Sequence, residues 1–160
     1  MDKLSNEIMT ESTVTLERIK YFLDKSDSDE LVLLKGHLLI EELFDLIIVF
    51  DLGEEIAGKL NLNFHRKMLL VCGLTKREFS SDLICQIMVI NKIRNKFAHN
   101  LDSNIKPDLI DFIKKVLKGL PKTINRKSTY LNCLKKSFYF IFGQLMGTYE
   151  VYKMVNKNGL

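Results

Sequence analysis

Thr75-Lys76-Arg77-Glu78-Phe79-Ser80-Ser81-Asp82-Leu83-Ile84-Cys85-Gln86-Ile87-Met88-Val89-Ile90-Asn91-Lys92-Ile93-Arg94-Asn95-Lys96-Phe97-Ala98-His99 is the stretch that decides the fold. Thr75 followed three residues later by Glu78 has the form of a capping box, which predicts a helix starting there and running to His99. Asn100 then fits as a left-handed terminating residue. At about 100° per residue, Leu83, Ile87, Ile90, Ile93 and Phe97 fall on one broad face, which must be core. Ile84, Met88, Asn91, Asn95 and His99 form a second stripe that begins apolar and ends polar. Such a stripe suits an interface whose far end opens into a wet cleft. Arg94 lies angularly between Ile87 and Ile90, on the core side. A buried guanidinium is costly unless paired, so Arg94 must meet a carboxylate or reach into a cleft.

The same periodicity runs through the rest of the chain, and no alternating strand pattern interrupts it. A first helix is expected from Lys3 to Asp24, with Val14, Ile19, Phe22 and Leu23 supplying apolar contacts. Ser26-Asp27-Ser28-Asp29-Glu30 is a cap-rich break opening a second helix over Ser28–Asp51, ended by Gly53. Short helices are expected over Glu54–Leu60 and Phe64–Cys72, the latter stopped by Gly73. Lys106-Pro107-Asp108 opens a further helix that ends at Gly119-Leu120-Pro121. The last helix is expected over Lys127–Val155. Within it Leu134, Phe138, Ile141, Leu145, Tyr149 and Tyr152 keep helical spacing, which favours packing over base stacking. Gly143 and Gly147 read as a place of close helix approach. The architecture is an all-α antiparallel helical bundle with extra short helices, residues 1–160 forming a single domain.

Composition narrows the function classes. The three cysteines have no C-x-x-C spacing, so neither a zinc site nor a disulfide framework is indicated. Reduced, mostly buried thiols in a cytoplasmic protein are the expectation. The polar, acidic start is not that of a signal peptide, and no apolar run is long enough to span a bilayer. The net charge of +4 conceals an asymmetry. Residues 1–60 carry 6 Lys/Arg against 14 Asp/Glu, residues 61–100 carry 7 against 2, and residues 101–160 carry 11 against 4. A basic surface can attract a polyanion such as RNA. Equally, the acidic third can pack on the basic remainder. The run Lys114, Lys115, Lys118, Lys122, Arg126 and Lys127 reads as a solvated face.

The polar residues of the helix ending in His99 have two readings. Lys92, Arg94, Lys96 and His99 crowd its last turns, where cations complement the helix dipole. Asn91-Lys92-Ile93-Arg94-Asn95-Lys96-Phe97-Ala98-His99 also resembles the R-x4–6-H signature of the HEPN superfamily, in which the Arg is typically followed by a residue such as Asn95. The segment Lys35-Gly36-His37-Leu38-Leu39-Ile40-Glu41-Glu42-Leu43 resembles the second helix of a related group that includes mannitol operon repressor-like proteins. The resemblance covers residues 30–100. It implies a HEPN-like bundle, often dimeric. Many members are metal-independent endoribonucleases acting as toxins or in antiphage defence, frequently beside a nucleotidyltransferase-type antitoxin.

The resemblance makes Arg94, Asn95 and His99 the expected catalytic set, meeting across a homodimer, with Lys92 and Lys96 placed to hold RNA. RNA carries its own nucleophile, the 2′-OH, so cleavage needs neither metal nor cofactor. An imidazole can move the proton, and a guanidinium fork can hold the phosphate as its charge grows. Glu41 is the expected partner of Arg94. His37, Glu41 and Asp45 lie four apart, a spacing that could hold a metal but lacks further ligands. They are more simply read as pairing with Arg94 or Lys92, or lining the same cleft. His65 is expected at an exposed, basic helix start. The competing reading is a non-catalytic helical regulator or interaction module like the mannitol repressor group.

Overall fold

The computed structural model describes residues 3–75, 79–100 and 103–158, with side chains from 14 to 156. Seven helices account for the regular structure of these residues: α1 Lys3–Asp24, α2 Asp29–Leu52, α3 Glu54–Lys59, α4 Phe64–Leu74, α5 Ser81–His99, α6 Lys106–Val116 and α7 Lys127–Asn158. The all-α expectation holds, and the cap chemistry explains most boundaries. Ser28 and Asn63 accept from the N–H groups of Leu31 and Arg66 at the starts of α2 and α4. Gly53, at φ 79°, takes a conformation that a side chain would strain, and it separates α2 from α3. Pro107 sits in the first turn of α6.

Three local expectations are corrected. Helix α5 starts at Ser81, and the capping oxygen is that of Ser80, which accepts from Leu83 N–H. Thr75 instead ends α4, its hydroxyl donating to the Val71 carbonyl; Lys76, Arg77 and Glu78 lie outside the described residues. Gly73 does not stop α4, which continues to Leu74. Asn100 is extended, at φ −149°, rather than left-handed.

Contacts along α7 set the helix directions. Tyr130 donates to Asp29 at the start of α2, and Tyr152 donates to Asp51 at its end, so α2 and α7 run parallel. Asp24, closing α1, accepts from Tyr139 and, through its carbonyl, from Lys135. Arg18 on α1 pairs with Glu42 on α2, so α1 runs against α2. Lys106 lies over the Tyr130 ring and Phe112 packs on Phe138, so α6 follows α7. Lys96 pairs with Asp108 near the start of α6, while Asp82 and Lys115 flank a common cavity at the other end, so α5 runs against α6 and hence against α2. Between them lies one apolar cluster fed by α1, α2, α4, α5, α6 and α7.

The expected core positions of α5 and α7 are buried, except Phe97, which is half-buried. Val14, expected to pack, is exposed. Cys133 is buried, Cys72 half-buried and Cys85 exposed, so the thiols are not uniformly interior. No helix among the described residues is long and apolar enough to cross a membrane. The charge asymmetry is partly answered internally, because Lys67 bridges Glu41 and Asp45. The run from Lys114 to Lys127 is exposed, as a solvated face should be.

Burial, and then the facing aspartates, push the phenols of Tyr130, Tyr139 and Tyr152 up, that of Tyr152 to about 12, so all three keep their protons as donors. Tyr130 is the most enclosed of them. Tyr130→Phe is expected to lower stability by about 1.5–2 kcal/mol, the low end of the range for a hydrogen bond to a charged group, because Asp29 is half-exposed. Urea unfolding at neutral pH reads this loss.

Candidate functional site

The polar end of α5 meets α2 and the start of α4 around a cleft of about 390 Å³. Helix α2 contributes His37 and Glu41, one turn apart. Asn63, Phe64 and His65 come from the capped start of α4, and Asn91, Arg94 and Asn95 come from α5. His37 is 4 % exposed, its ring stacked on Phe64 at 4.0 Å between centroids. Its Nε2 lies 3.1 Å from Asn91 Oδ1. An amide oxygen only accepts, so Nε2 carries the proton and donates. The same Oδ1 accepts from Asn95 Nδ2 at 3.5 Å, and Asn95 Oδ1 accepts from Arg94 Nη1 at 3.1 Å. Imidazole, two amides and guanidinium thus form one hydrogen-bonded chain along the cleft wall.

Arg94 has reached into a cleft, one of the two outcomes its position on α5 allowed. Its expected partner is corrected: Glu41 pairs with Lys67 at 3.0 Å, and Lys67 also holds Asp45 at 2.8 Å. Burial opposes the charge on Lys67, but hydrogen bonds and attraction from Asp45 and Glu41 outweigh it and raise its pKa. Among the described residues Arg94 makes no ion pair, and Asn95 is the group that receives it. Of the His37, Glu41 and Asp45 stripe, the first two line the cleft, while Asp45 turns to a separate cavity beside α3. No group of three His, Cys, Asp or Glu among the described residues is placed to hold a metal ion.

The other α5 residues are sorted by helix geometry. Steps of four advance about 40° each, so His99 lies about 80° around the helix from Asn91 and about 12 Å along it. It is exposed and does not line the cleft. The stripe predicted as one face is therefore a spiral that leaves the cleft at its last member. Lys92 and Lys96 project toward α6, beside a second cavity of about 450 Å³, with Lys96 held 2.6 Å from Asp108. The expected set is thus divided: Arg94 and Asn95 stand together in the cleft, His99 at the helix end, and the two lysines on another side of α5. Sequence reasoning did not find the Asn63–His65 turn in the cleft or the bond from His37 to Asn91. The Asn63 cap before Phe64 was the available signal for the first; nothing local signalled the second.

His37 gives the cleft a pH signature. Burial lowers its pKa below the ordinary 6.5 and nearby Arg94 adds to this, against the opposing effects of the Asn91 hydrogen bond and Glu41. Above pH 6.5 the ring is neutral whether the chain is folded or unfolded. As pH falls below 6.5, the unfolded chain takes up the proton first and stability declines, until the folded value is passed. Wild type should therefore lose more of its thermal midpoint between pH 7.5 and 5 than His37→Gln, which has no ring to protonate.

Compared with known proteins, the chain matches no family model, no curated protein and no solved structure. The functional reading accordingly stands on the cleft and on the α5 segment.

Proposed function

We propose that the protein is a metal-independent endoribonuclease of HEPN type, working as a homodimer in the manner of a toxin or antiphage effector. The observation that carries this reading is Arg94, a cation on a cleft wall that is oriented by an amide and bound to no carboxylate among the described residues. A guanidinium so placed has its remaining N–H groups free to receive a phosphodiester. The RNA 2′-OH attacks the neighbouring phosphorus, the P–O5′ bond breaks, and 2′,3′-cyclic phosphate and 5′-OH ends result. His99 moves the proton, while Arg94 and Asn95 hold the phosphoryl oxygens.

Within one chain His99 stands away from that cleft. In this reading a second chain brings the two groups together. The exposed side of α5 that carries His99 also carries Met88, 46 % exposed, with half-buried Ile84 and Asn95 beside it, and this stripe is the surface assigned to the contact. Lys92 and Lys96 would steer RNA toward the dimer from the side of α6. The partners implied are RNA, a second copy and a nucleotidyltransferase-like antitoxin, in the cytoplasm. The separation of His99 from Arg94 also favours a second reading, a non-catalytic helical regulator or interaction module.

Mixing two inactive variants separates the readings. Arg94→Gln and His99→Ala should each lose RNA cleavage alone. After co-refolding, mixed dimers should recover activity that neither variant has, because one site then holds both groups. A mixture as inactive as its parts would rule out a site shared between chains.

A further inference from the structure

We propose that the α2–α4–α5 cleft is a binding pocket for a phosphate ester, complete within one chain, in which His37 is a positioning residue that holds Arg94 through Asn91 and Asn95. The inference deepens the nuclease reading by naming the group the cleft takes, yet it needs neither His99 nor a second copy.

The charge balance comes first. Among the described residues Glu41 is the one carboxylate on the cleft wall, and Lys67 engages it from outside at 3.0 Å. The Arg94 charge is left facing the cavity. A guanidinium has five N–H donors, and among the described residues one contact, to Asn95 Oδ1, is made. The others suit two oxygens of a tetrahedral anion.

The second observation is the direction of the hydrogen-bonded chain. Arg94 can only donate, so it takes Asn95 Oδ1, and Asn91 Oδ1 is then shared by Asn95 Nδ2 and His37 Nε2, which donates to it. Each amide is held by neighbours on both sides, and the end opposite Arg94 is a buried ring clamped on Phe64. A leucine at 37 would fill the space but let both amides turn over, freeing Arg94.

The third observation is what faces Arg94. The Asn63 side chain takes the N–H of Arg66, so the amides of Phe64 and His65, first in α4, remain outside the helix's own bonding pattern at the cleft. The exposed His65 ring stands beside them. The first residues of α4 and Arg94 of α5 therefore line one cavity, and its volume of about 390 Å³ lies in the range of small-ligand pockets.

Titration of the ¹⁵N-labelled full chain tests this, with three probes: inorganic phosphate, AMP, and a short single-stranded RNA lacking terminal phosphates. The Arg94 Nε–H signal and the amides of residues 64 and 65 should shift. Arg94→Gln should weaken binding about tenfold or more, as loss of a charge-assisted bond implies. His37→Leu should weaken it, and His37→Gln should restore most of it by supplying an N–H at the same place. Shifts with AMP and phosphate alone identify a terminal phosphate as the ligand; shifts with the RNA identify the backbone diester. No shift at Arg94 with any probe, or wild-type affinity in Arg94→Gln, overturns the pocket. Wild-type affinity in His37→Leu overturns the positioning role. Binding at Arg94 without RNA cleavage leaves the pocket standing and removes the nuclease reading; cleavage without binding at Arg94 overturns the pocket and takes the phosphate-holding role of the nuclease away from Arg94.

Discussion

His99→Ala lowers RNA cleavage by about 10²–10⁴-fold, the usual contribution of a general acid–base group, and leaves folding intact. The two halves of this expectation have different origins. The loss of activity follows from the proposed chemistry, in which the 2′-OH must surrender a proton and the leaving 5′-oxygen must gain one. The unchanged folding follows from position. His99 is exposed at the last residue of α5, outside the apolar cluster. Surface substitutions away from caps and buried pairs usually alter stability by no more than about 0.5 kcal/mol. Circular dichroism melts beside gel-based cleavage assays distinguish the two. An Arg94 variant would be less clean, because Arg94 belongs to the chain that ends on buried His37.

The largest stability effect is expected at Gly36. It lies inside α2, where glycine ordinarily costs about 1 kcal/mol relative to alanine. The reason for glycine is Phe138 of α7: a Cβ at position 36 would sit 2.2 Å from Cε1 of that ring and within 2.6 Å of two more of its atoms. The ring cannot swing aside freely, being fully buried between Phe112 and Phe142. Gly36→Ala should cost about 2–3 kcal/mol net, with overpacking exceeding the helix-propensity gain. Combining it with Phe138→Leu should return part of that loss, and a double-mutant cycle measures the coupling. Gly143→Ala makes the opposite case. Gly143 and Gly147, read from sequence as a close-packing pair, are exposed, and a methyl group added at either would meet nothing within 4 Å. Gly143→Ala should therefore raise stability by about 0.5–1 kcal/mol. Thermal unfolding of the two alanine variants should move in opposite directions.

The glycines mark where sequence stops being informative. Helix spans followed from periodicity and caps because both are local, and the Ser28, Gly53 and Pro107 boundaries are local chemistry. Which glycine lies against a neighbouring helix depends on how α2 meets α7, and a G-x-x-x-G spacing on α7 carries no such information. The site divides in the same way. Arg94 was legible as a residue that needed a cleft or a partner, because its angular position puts a charge beside the core. Its actual neighbours were not, since Glu41 had a nearer cation in Lys67, on a helix whose packing the sequence does not encode locally. His99 was grouped with Asn95 by a four-residue spacing, and over two such steps the 40° drift carries it off the cleft. His37 went to the cleft because antiparallel α2 and α5 bring it opposite Asn91.

The most direct test of the proposed nuclease is cleavage of a labelled RNA by the purified protein in EDTA, beside His99→Ala, with the product ends analysed. Wild type should cleave, its activity should persist in chelator, the products should carry 2′,3′-cyclic phosphate ends, and the variant should lose activity. Equal activity in the two proteins, or no cleavage by either, would contradict the proposal.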